Sequence, residues 1–412
     1  MKPKDVQINS DYKERLEKQL ETIHGLLKDH YQENVQVGVL SGISGMSLFH
    51  FYYSKYKGTD TYFDAGVEIL NESVHRINSG YNVPTYCTGM AGAGWVLDHL
   101  VEEDFIELNT DELLADLDEY LYGIMIADIK NGNYDFLHGA IGYGFYFLKR
   151  FKNTKSDTLK ERYTDYLLAL VSELEELSEK DKHGLKWPLV LHKKTEEPEY
   201  NFSLSHGIPS IINFLSRLHE FEEFRNSVES LLKGGVSYVK SFENSDKDAF
   251  SLFPNNVIDA HRGRDSRLAW CYGDLGVGLT LRRAAKTLKD DQLHETAIRI
   301  LKHAANRKTM VQSSVKDAGL CHGSYGNAQI FGRLYRETND STFKEAATHW
   351  IEQGIAMGTF EDGYAGYKQW QGKDNKWENE INFLTGIAGI GLAILFYLSD
   401  FETTWDECLM IG

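Results

Sequence analysis

Amphipathic stretches and almost wholly apolar stretches alternate along the chain. The amphipathic stretches carry their charged residues on one face, a pattern typical of helices with one side in water. They cover approximately residues 11–29, 60–78, 110–127, 157–178, 222–241, 290–306 and 341–357. The stretch after each of them is apolar nearly all round, which predicts a buried helix. The sequence therefore predicts an outer helix, a loop and an inner helix, repeated seven times.

A short glycine motif precedes each predicted inner helix. It consists of a glycine, two further residues, a second glycine and then an aromatic or aliphatic run. The first glycines are Gly42, Gly89, Gly139, Gly207, Gly273, Gly323 and Gly386. Six of the seven copies have the second glycine, and the fourth has Ser210 in its place. We expect glycine here because the ends of the inner helices converge, and only a residue without Cβ permits a close approach.

Two layers of seven helices form either an open solenoid or a closed ring. A solenoid needs polar caps on its terminal repeats, but the last inner helix, near residues 389–398, is among the most apolar segments of the chain. The pattern therefore favours an all-α fold, an α/α toroid with seven inner and seven outer helices. We expect residues 1–412 to form one domain, with a small β-containing insertion at 179–205, where the sequence alternates.

Composition and charge narrow the function further. The chain has 412 residues, with 44 Lys and Arg against 61 Asp and Glu, so its formal charge is −17. This charge argues against a nucleic-acid-binding protein, which needs a basic surface. The N-terminal residues lack an apolar signal segment, and the longest apolar run, residues 387–398, is too short to span a membrane. We therefore expect a cytoplasmic protein.

Thiols and an imidazole recur next to the glycine motif. Cys87, Cys271 and Cys321 each lie two residues before a first glycine, and His322 follows the last of them. If the repeats superpose, Cys271 and Cys321 project from neighbouring helix N-termini, and with His322 they match the three protein ligands of an open zinc site. The alternative is that they are ordinary buried thiols. We expect Cys87 to be structural and Cys408 to be incidental.

Four other polar residues lie close to the same level of the repeats. His206 directly precedes Gly207, and Asp135 lies four residues before Gly139. Next to a zinc site such residues could transfer protons, although a buried His or Asp can equally serve as a structural cap. Arg267 and Tyr272 flank Cys271. These two either stabilise developing negative charge or fix the loop.

The ordered motifs YDFLHG, SHGIP, RLAWCYGDLG and CHGSYG, together with the seven glycine copies, resemble the lanthionine synthetase C (LanC) cyclases of class I lantibiotic biosynthesis. The resemblance covers essentially the whole chain and implies an α/α toroid with a small β-rich insertion. It implies one Zn²⁺ held by the positions of Cys271, Cys321 and His322. It implies active-site roles for His206, Asp135, Arg267 and Tyr272.

The activity that the resemblance implies is an intramolecular Michael addition. Cysteine thiols of a dehydrated precursor peptide add to dehydroalanine or dehydrobutyrine and form lanthionine rings. In this scheme His206 protonates the enolate, and Asp135 orients His206 or exchanges protons with it. The implied partners are the precursor peptide, a dehydratase and an ABC transporter, which form a complex at the inner face of the membrane. No nucleic-acid partner is expected.

Three other functions stay open at this level. A LanC-like protein could bind glutathione through the same zinc without making rings. A carbohydrate-active toroid would need paired carboxylates at the glycine motifs, where this sequence has thiols and imidazoles. A scaffold in a synthetase–transporter complex would need no open metal site.

Overall fold

A helix follows every glycine motif in the computed structural model, which describes residues 10–189, 198–246, 249–258, 261–262, 265–372 and 376–411. The seven inner helices each begin one residue after the first glycine of the motif. They are α2 (Ile43–Lys57), α4 (Met90–Glu102), α7 (Ala140–Asn153), α9 (Ile208–His219), α11 (Asp274–Leu288), α14 (Ser324–Thr338) and α16 (Ile387–Leu398). Long runs of consecutive residues in these helices are buried, such as 43–54 in α2 and 387–397 in α16.

The outer helices alternate with the inner ones and bury only one face. They are α1 (Ser10–His30), α3 (Thr61–Asn78), α6 (Ala115–Lys130), α8 (Asp157–Leu177), α10 (Glu222–Ser241), α12 (Asp291–Ala305) and α15 (Ser341–Met357). The helices of the described residues also include two single-turn helices, α5 (Thr110–Leu113) and α13 (Met310–Ser313), and two 3₁₀ helices, Tyr31–Glu33 and Trp405–Leu409. The predicted alternation of outer and inner helices is confirmed.

Short antiparallel strands lie in the long loops. The strands β1 (Glu179–Asp181) and β2 (Gly184–Lys186) form a hairpin, and β6 (Gln369–Trp370) pairs with β7 (Trp377–Glu378). The strands β3 (Glu199–Asn201), β4 (Asn256–Ile258) and β5 (His261–Arg262) form one sheet in that order. Three strands thus fall within the predicted insertion at 179–205, of which residues 190–197 lie outside the described part. The domain organisation stays a prediction.

Backbone contacts divide the chain into two compact units. The first contains the described residues of the ranges 1–83, 268–270 and 305–412, and the second contains those of 84–267 and 271–304. In the first unit α2 packs against α16, so the first repeat contacts the last. The backbone N–H of Leu384, in the last repeat, also donates to the carbonyl of Leu40, in the first, at 2.8 Å. An open solenoid would leave these two repeats apart.

The glycine motif owes its second glycine to a contact within its own repeat. A Cβ on Gly45 would overlap the carbonyl oxygen of Val39, and one on Gly326 would overlap that of Leu320. In both cases the carbonyl belongs to the residue six positions earlier, because the loop folds back over the first turn of the helix. The tightest approach is between a helix and its own loop. The neighbouring repeat also comes close, since a Cβ on Gly45 would lie 3.0 Å from the Cβ of Phe383.

A buried cation joins five elements of the second unit. The Arg150 side chain, on α7, is completely buried. Its guanidinium lies 3.1 Å from Asp98 Oδ1 and 3.2 Å from Asp118 Oδ2, and it donates to the Thr110 carbonyl oxygen and the Tyr163 hydroxyl at 3.0 Å each. The inner helices α4 and α7 are thereby tied to α5, α6 and α8.

Replacing this cation should strongly destabilise the protein. In Arg150→Met, Asp98 and Asp118 would be left buried without their counter-charge, and breaking a buried pair in this way lowers the free energy of unfolding by about 3–5 kcal/mol. Urea denaturation measures the difference. Arg162→Met, at an exposed position of α8, is the control and should change stability by less than about 0.5 kcal/mol. A similar small change in Arg150→Met would contradict the role given to the pair.

Candidate metal centre and proton-transfer pair

Backbone hydrogen bonds connect the loops of neighbouring repeats at the residue two positions before the first glycine. In the first unit the Cys321 N–H donates to the Leu384 carbonyl oxygen at 2.9 Å. In the second unit the Cys87 N–H donates to the Leu137 carbonyl oxygen, also at 2.9 Å. All four residues occupy this same position in their repeats. These backbone hydrogen bonds bring equivalent positions of consecutive repeats together.

The same kind of contact places the two candidate thiol ligands. The Trp270 N–H donates to the Cys321 carbonyl oxygen at 3.1 Å, and Cys271 is the next residue of the chain. The Trp270 indole N–H is itself held by the Leu409 carbonyl oxygen at 2.7 Å. The potential ligand atoms of Cys271, Cys321 and His322 all lie within 4.8 Å of one another. The structure therefore brings together the three residues that the sequence singled out as metal ligands.

The chemistry of this group fits zinc. Two sulfurs and one imidazole nitrogen are preferred Zn²⁺ donors, and three protein ligands leave a fourth tetrahedral position open. None of the four cysteines, all within the described residues, takes part in a disulfide. Cys271 and Cys321 lie just before the N-termini of α11 and α14, and the positive end of a helix dipole favours the thiolate form that binds metal.

A histidine–carboxylate pair lies in the second unit. His206 Nδ1 is 2.6 Å from Asp135 Oδ2, and the Asp135 side chain is 8% exposed. Asp135 Oδ1 accepts the backbone N–H groups of Leu137, at 2.7 Å, and His138, at 2.8 Å. The carboxylate therefore has a fixed position in the loop before α7, and through it the imidazole is oriented.

The pair also shifts the pKa values of its members. Burial alone would raise the pKa of Asp135, but the hydrogen bond and the charge of His206 outweigh burial and hold that pKa below its usual value. Burial alone would lower the pKa of His206, but Asp135 outweighs burial and raises that pKa, with a further contribution from the charge of Cys271. His206 is thus favoured in its protonated form, close to a candidate ligand.

Tyr272 and Arg267, the other two predicted site residues, lie on the same loop as Cys271. The Tyr272 hydroxyl accepts the Asn201 side-chain N–H at 3.4 Å, and its ring centroid is 6.4 Å from that of His206. Burial raises the pKa of Tyr272, so its phenol stays protonated and can donate a hydrogen bond. Arg267 is half-buried. The catalytic roles of both residues stay predictions.

One buried carboxylate beside the candidate metal ligands has no counterpart among the predicted site residues. Asp317 is 3% exposed, and its Oδ2 lies 3.3 Å from His322 Nε2. The same oxygen accepts the backbone N–H of Trp370, on β6, at 3.1 Å. The only sequence signal was an acidic residue four positions before a candidate cysteine ligand, which by itself predicts no contact.

Comparison with known proteins gives consistent matches. Residues 33–410 match the model of the family described as lanthionine synthetase C-like protein. Nisin biosynthesis protein NisC of Lactococcus lactis subsp. lactis is 24% identical over 79% of this chain and 76% of its own length. Glutathione S-transferase LANCL1 of Danio rerio is 24% identical over 73% of this chain and 70% of its own length.

A solved structure supports the fold. Nisin cyclase superposes with a TM-score of 0.74 at 18% identity, covering 96% of this chain and 97% of its own. The all-α fold, an α/α toroid, is therefore confirmed. Among the described residues, every helix is too short or too polar to cross a lipid bilayer.

Proposed function

Since the chain belongs to the lanthionine synthetase C-like family, we propose that it is a zinc-dependent peptide cyclase that forms lanthionine. Its substrate is a precursor peptide in which serine and threonine have been dehydrated to dehydroalanine and dehydrobutyrine. A cysteine thiol of the same peptide adds across the Cα=Cβ bond of such a residue. The thiol gives up its proton, the S–Cβ bond forms as the π electrons move towards the carbonyl, and Cα of the enolate then takes up one proton. The peptide keeps its mass.

The proposed metal ligands are Cys271, Cys321 and His322, whose donor atoms lie within 4.8 Å of one another. Zn²⁺ bound there would lower the pKa of the substrate thiol, so that the thiol reacts as a thiolate at neutral pH. The protein's own part is to supply three ligands and leave one position for the substrate. Holding both reacting ends of one peptide in a single site would also supply part of the rate.

The observation that carries the proposal is the His206–Asp135 pair. An enolate needs a proton at Cα, and a positioned acid contributes roughly 10²- to 10⁴-fold to such a transfer. The 2.6 Å contact with Asp135 orients the imidazole and favours its charged form. The charge of Cys271 also acts on His206. We therefore assign the proton donor to His206 and its orientation to Asp135.

Cyclisation can be tested directly with the purified protein and a dehydrated precursor peptide that contains free cysteines. Ring formation leaves the mass unchanged but removes thiols, so alkylation followed by mass spectrometry counts the rings. We expect about one zinc ion per chain and loss of alkylatable thiols only with enzyme present. If the thiols of the dehydrated peptide disappear no faster with enzyme than without it, the cyclase proposal is contradicted.

The second candidate is a zinc protein that binds glutathione without making rings, which the similarity to Glutathione S-transferase LANCL1 brings into consideration. Both candidates use the same ligands, so zinc content does not separate them. Incubation with glutathione and an electrophile does. Conjugation to glutathione, together with no loss of thiols from the dehydrated peptide, would favour this second candidate. We further propose a dehydratase and an ABC transporter as partners, in a complex on the cytoplasmic face of the membrane.

A further inference from the structure

We propose that Asp317 is a positioning residue that holds His322 in the one tautomer able to bind the metal through Nδ1. This inference rests on the proposed zinc site and extends it beyond the three ligands. Asp317 precedes Cys321 by four residues and lies in the loop between α13 and α14, within the first unit. It is not among the three candidate ligands, so its effect would pass through His322.

The geometry gives the carboxylate a specific task. Asp317 Oδ2 is the carboxylate oxygen that faces His322 Nε2, at 3.3 Å, slightly beyond the usual range of an N–H···O hydrogen bond. A neutral imidazole carries one N–H and one acceptor nitrogen, and the hydrogen bond at one nitrogen fixes the state of the other. With the proton on Nε2, the lone pair of Nδ1 is left for a metal. A carboxylate behind a histidine ligand also makes that ligand more basic.

The carboxylate is held firmly enough to perform this task. Oδ1 accepts the Gly319 N–H at 3.3 Å, and Oδ2 accepts the Trp370 N–H at 3.1 Å. Because both oxygens face N–H donors, the side chain is oriented independently of His322. Next to it, the Lys316 ammonium lies 3.7 Å from the Trp370 ring centroid and fastens the same strand, β6, to the loop. Asp317 Oδ2 therefore contacts both the strand β6 and the candidate ligand His322.

A purely structural role is the alternative, and Asp317→Asn separates the two. The amide has the shape of the carboxylate but only one acceptor oxygen and no charge, so it cannot accept from Gly319, Trp370 and His322 together. With its NH₂ group towards His322, Nε2 has to accept and the ring proton moves to Nδ1; with its oxygen there, the imidazole still loses the negative charge that makes it a stronger ligand. We expect Asp317→Asn to bind zinc about 10- to 100-fold more weakly than the wild type, as measured by competition with a chromophoric chelator.

The matched control is Lys316→Met, which removes the cation–π contact to Trp370 and leaves the carboxylate in place. Its zinc affinity should stay within about twofold of the wild type, a much smaller change than the loss expected when the carboxylate behind the histidine is removed. An equal loss of affinity in both variants would assign the effect to the loop and overturn the inference. Unchanged affinity in Asp317→Asn, with normal zinc binding by the wild type, would overturn this inference and leave the proposed function standing.

A measurement on the unsubstituted protein makes the test independent of how the variants fold. In wild-type protein labelled with ¹⁵N at histidine, the His322 ring signals can be assigned from their loss in His322→Gln. We expect the proton on Nε2. A proton on Nδ1 would overturn the inference. Failure of the wild type to bind zinc at all would overturn the proposed function, and the inference with it.

Discussion

Alanine at Cys321 should remove both the metal and the activity. The variant keeps one sulfur and one imidazole of the three donors that lie within 4.8 Å of one another, and two protein ligands do not make a zinc site of either the structural or the catalytic kind. We expect the zinc content to fall from about one ion per chain to a trace, and peptide thiols to disappear no faster than without enzyme. Metal analysis after dialysis and thiol alkylation measure the two effects.

Cys87→Ala is the matched control. Like Cys321, Cys87 lies two residues before a first glycine and takes part in a backbone hydrogen bond between loops, and its side chain is buried. It belongs to no described group of candidate metal ligands. This variant should keep its zinc and its cyclisation rate. Full zinc occupancy in Cys321→Ala would refute the ligand assignment, and zinc loss in both variants would show that any change at this level of the loops disrupts the site.

Alanine at His206 should separate metal binding from catalysis. Zinc content should stay at the wild-type level, because the imidazole is paired with Asp135 and is not among the three candidate ligands. Enzymatic cyclisation should fall by about 10²- to 10⁴-fold, the contribution of a positioned acid. His138→Ala removes a second histidine, an exposed one three residues after Asp135, and should have little effect. Equal losses in both variants would argue against a specific donor.

The pH dependence should identify the same group. A donor with a raised pKa works below that pKa, and cyclisation is lost as the pH rises through it. Asp135→Asn keeps an oxygen for the N–H groups of Leu137 and His138 but removes the charge that raises the pKa of His206. The loss of activity at high pH should therefore begin at a lower pH than in the wild type. A high-pH limb that does not move would exclude His206 as the acid.

The sequence predicted the helices well because their pattern has a clear physical cause. An outer helix keeps one face in water and an inner helix keeps none, so periodicity alone separates the two kinds. The interpretation over 222–241, for example, coincides with α10 at Glu222–Ser241. The purpose of the second glycine was harder to predict. The overlap of a Cβ on Gly45 with the Val39 carbonyl depends on how the loop folds back, and no periodic pattern encodes that.

The part of the candidate site that could be predicted consists of residues at the same position in successive repeats. Cys271 and Cys321 share a register position, and the structure places their ligand atoms close together. Asp317 was missed because its partners are set by loop conformation. The hydrogen bond from the Trp370 backbone reaches it across 53 residues of chain. A single carboxylate in a loop is not part of a repeating sequence pattern. Only the folded structure shows which two residues lie next to it.

The contact between the first and last repeats has a consequence for biosynthesis. The helix α2 has an unbroken run of buried residues, and one of its neighbours is α16, almost at the other end of the chain. A ribosome releases α2 several hundred residues before α16. Apolar surface that waits for its partner in this way is prone to aggregation. We therefore expect the N-terminal helices of the nascent protein to be prone to aggregation until the last helix has emerged.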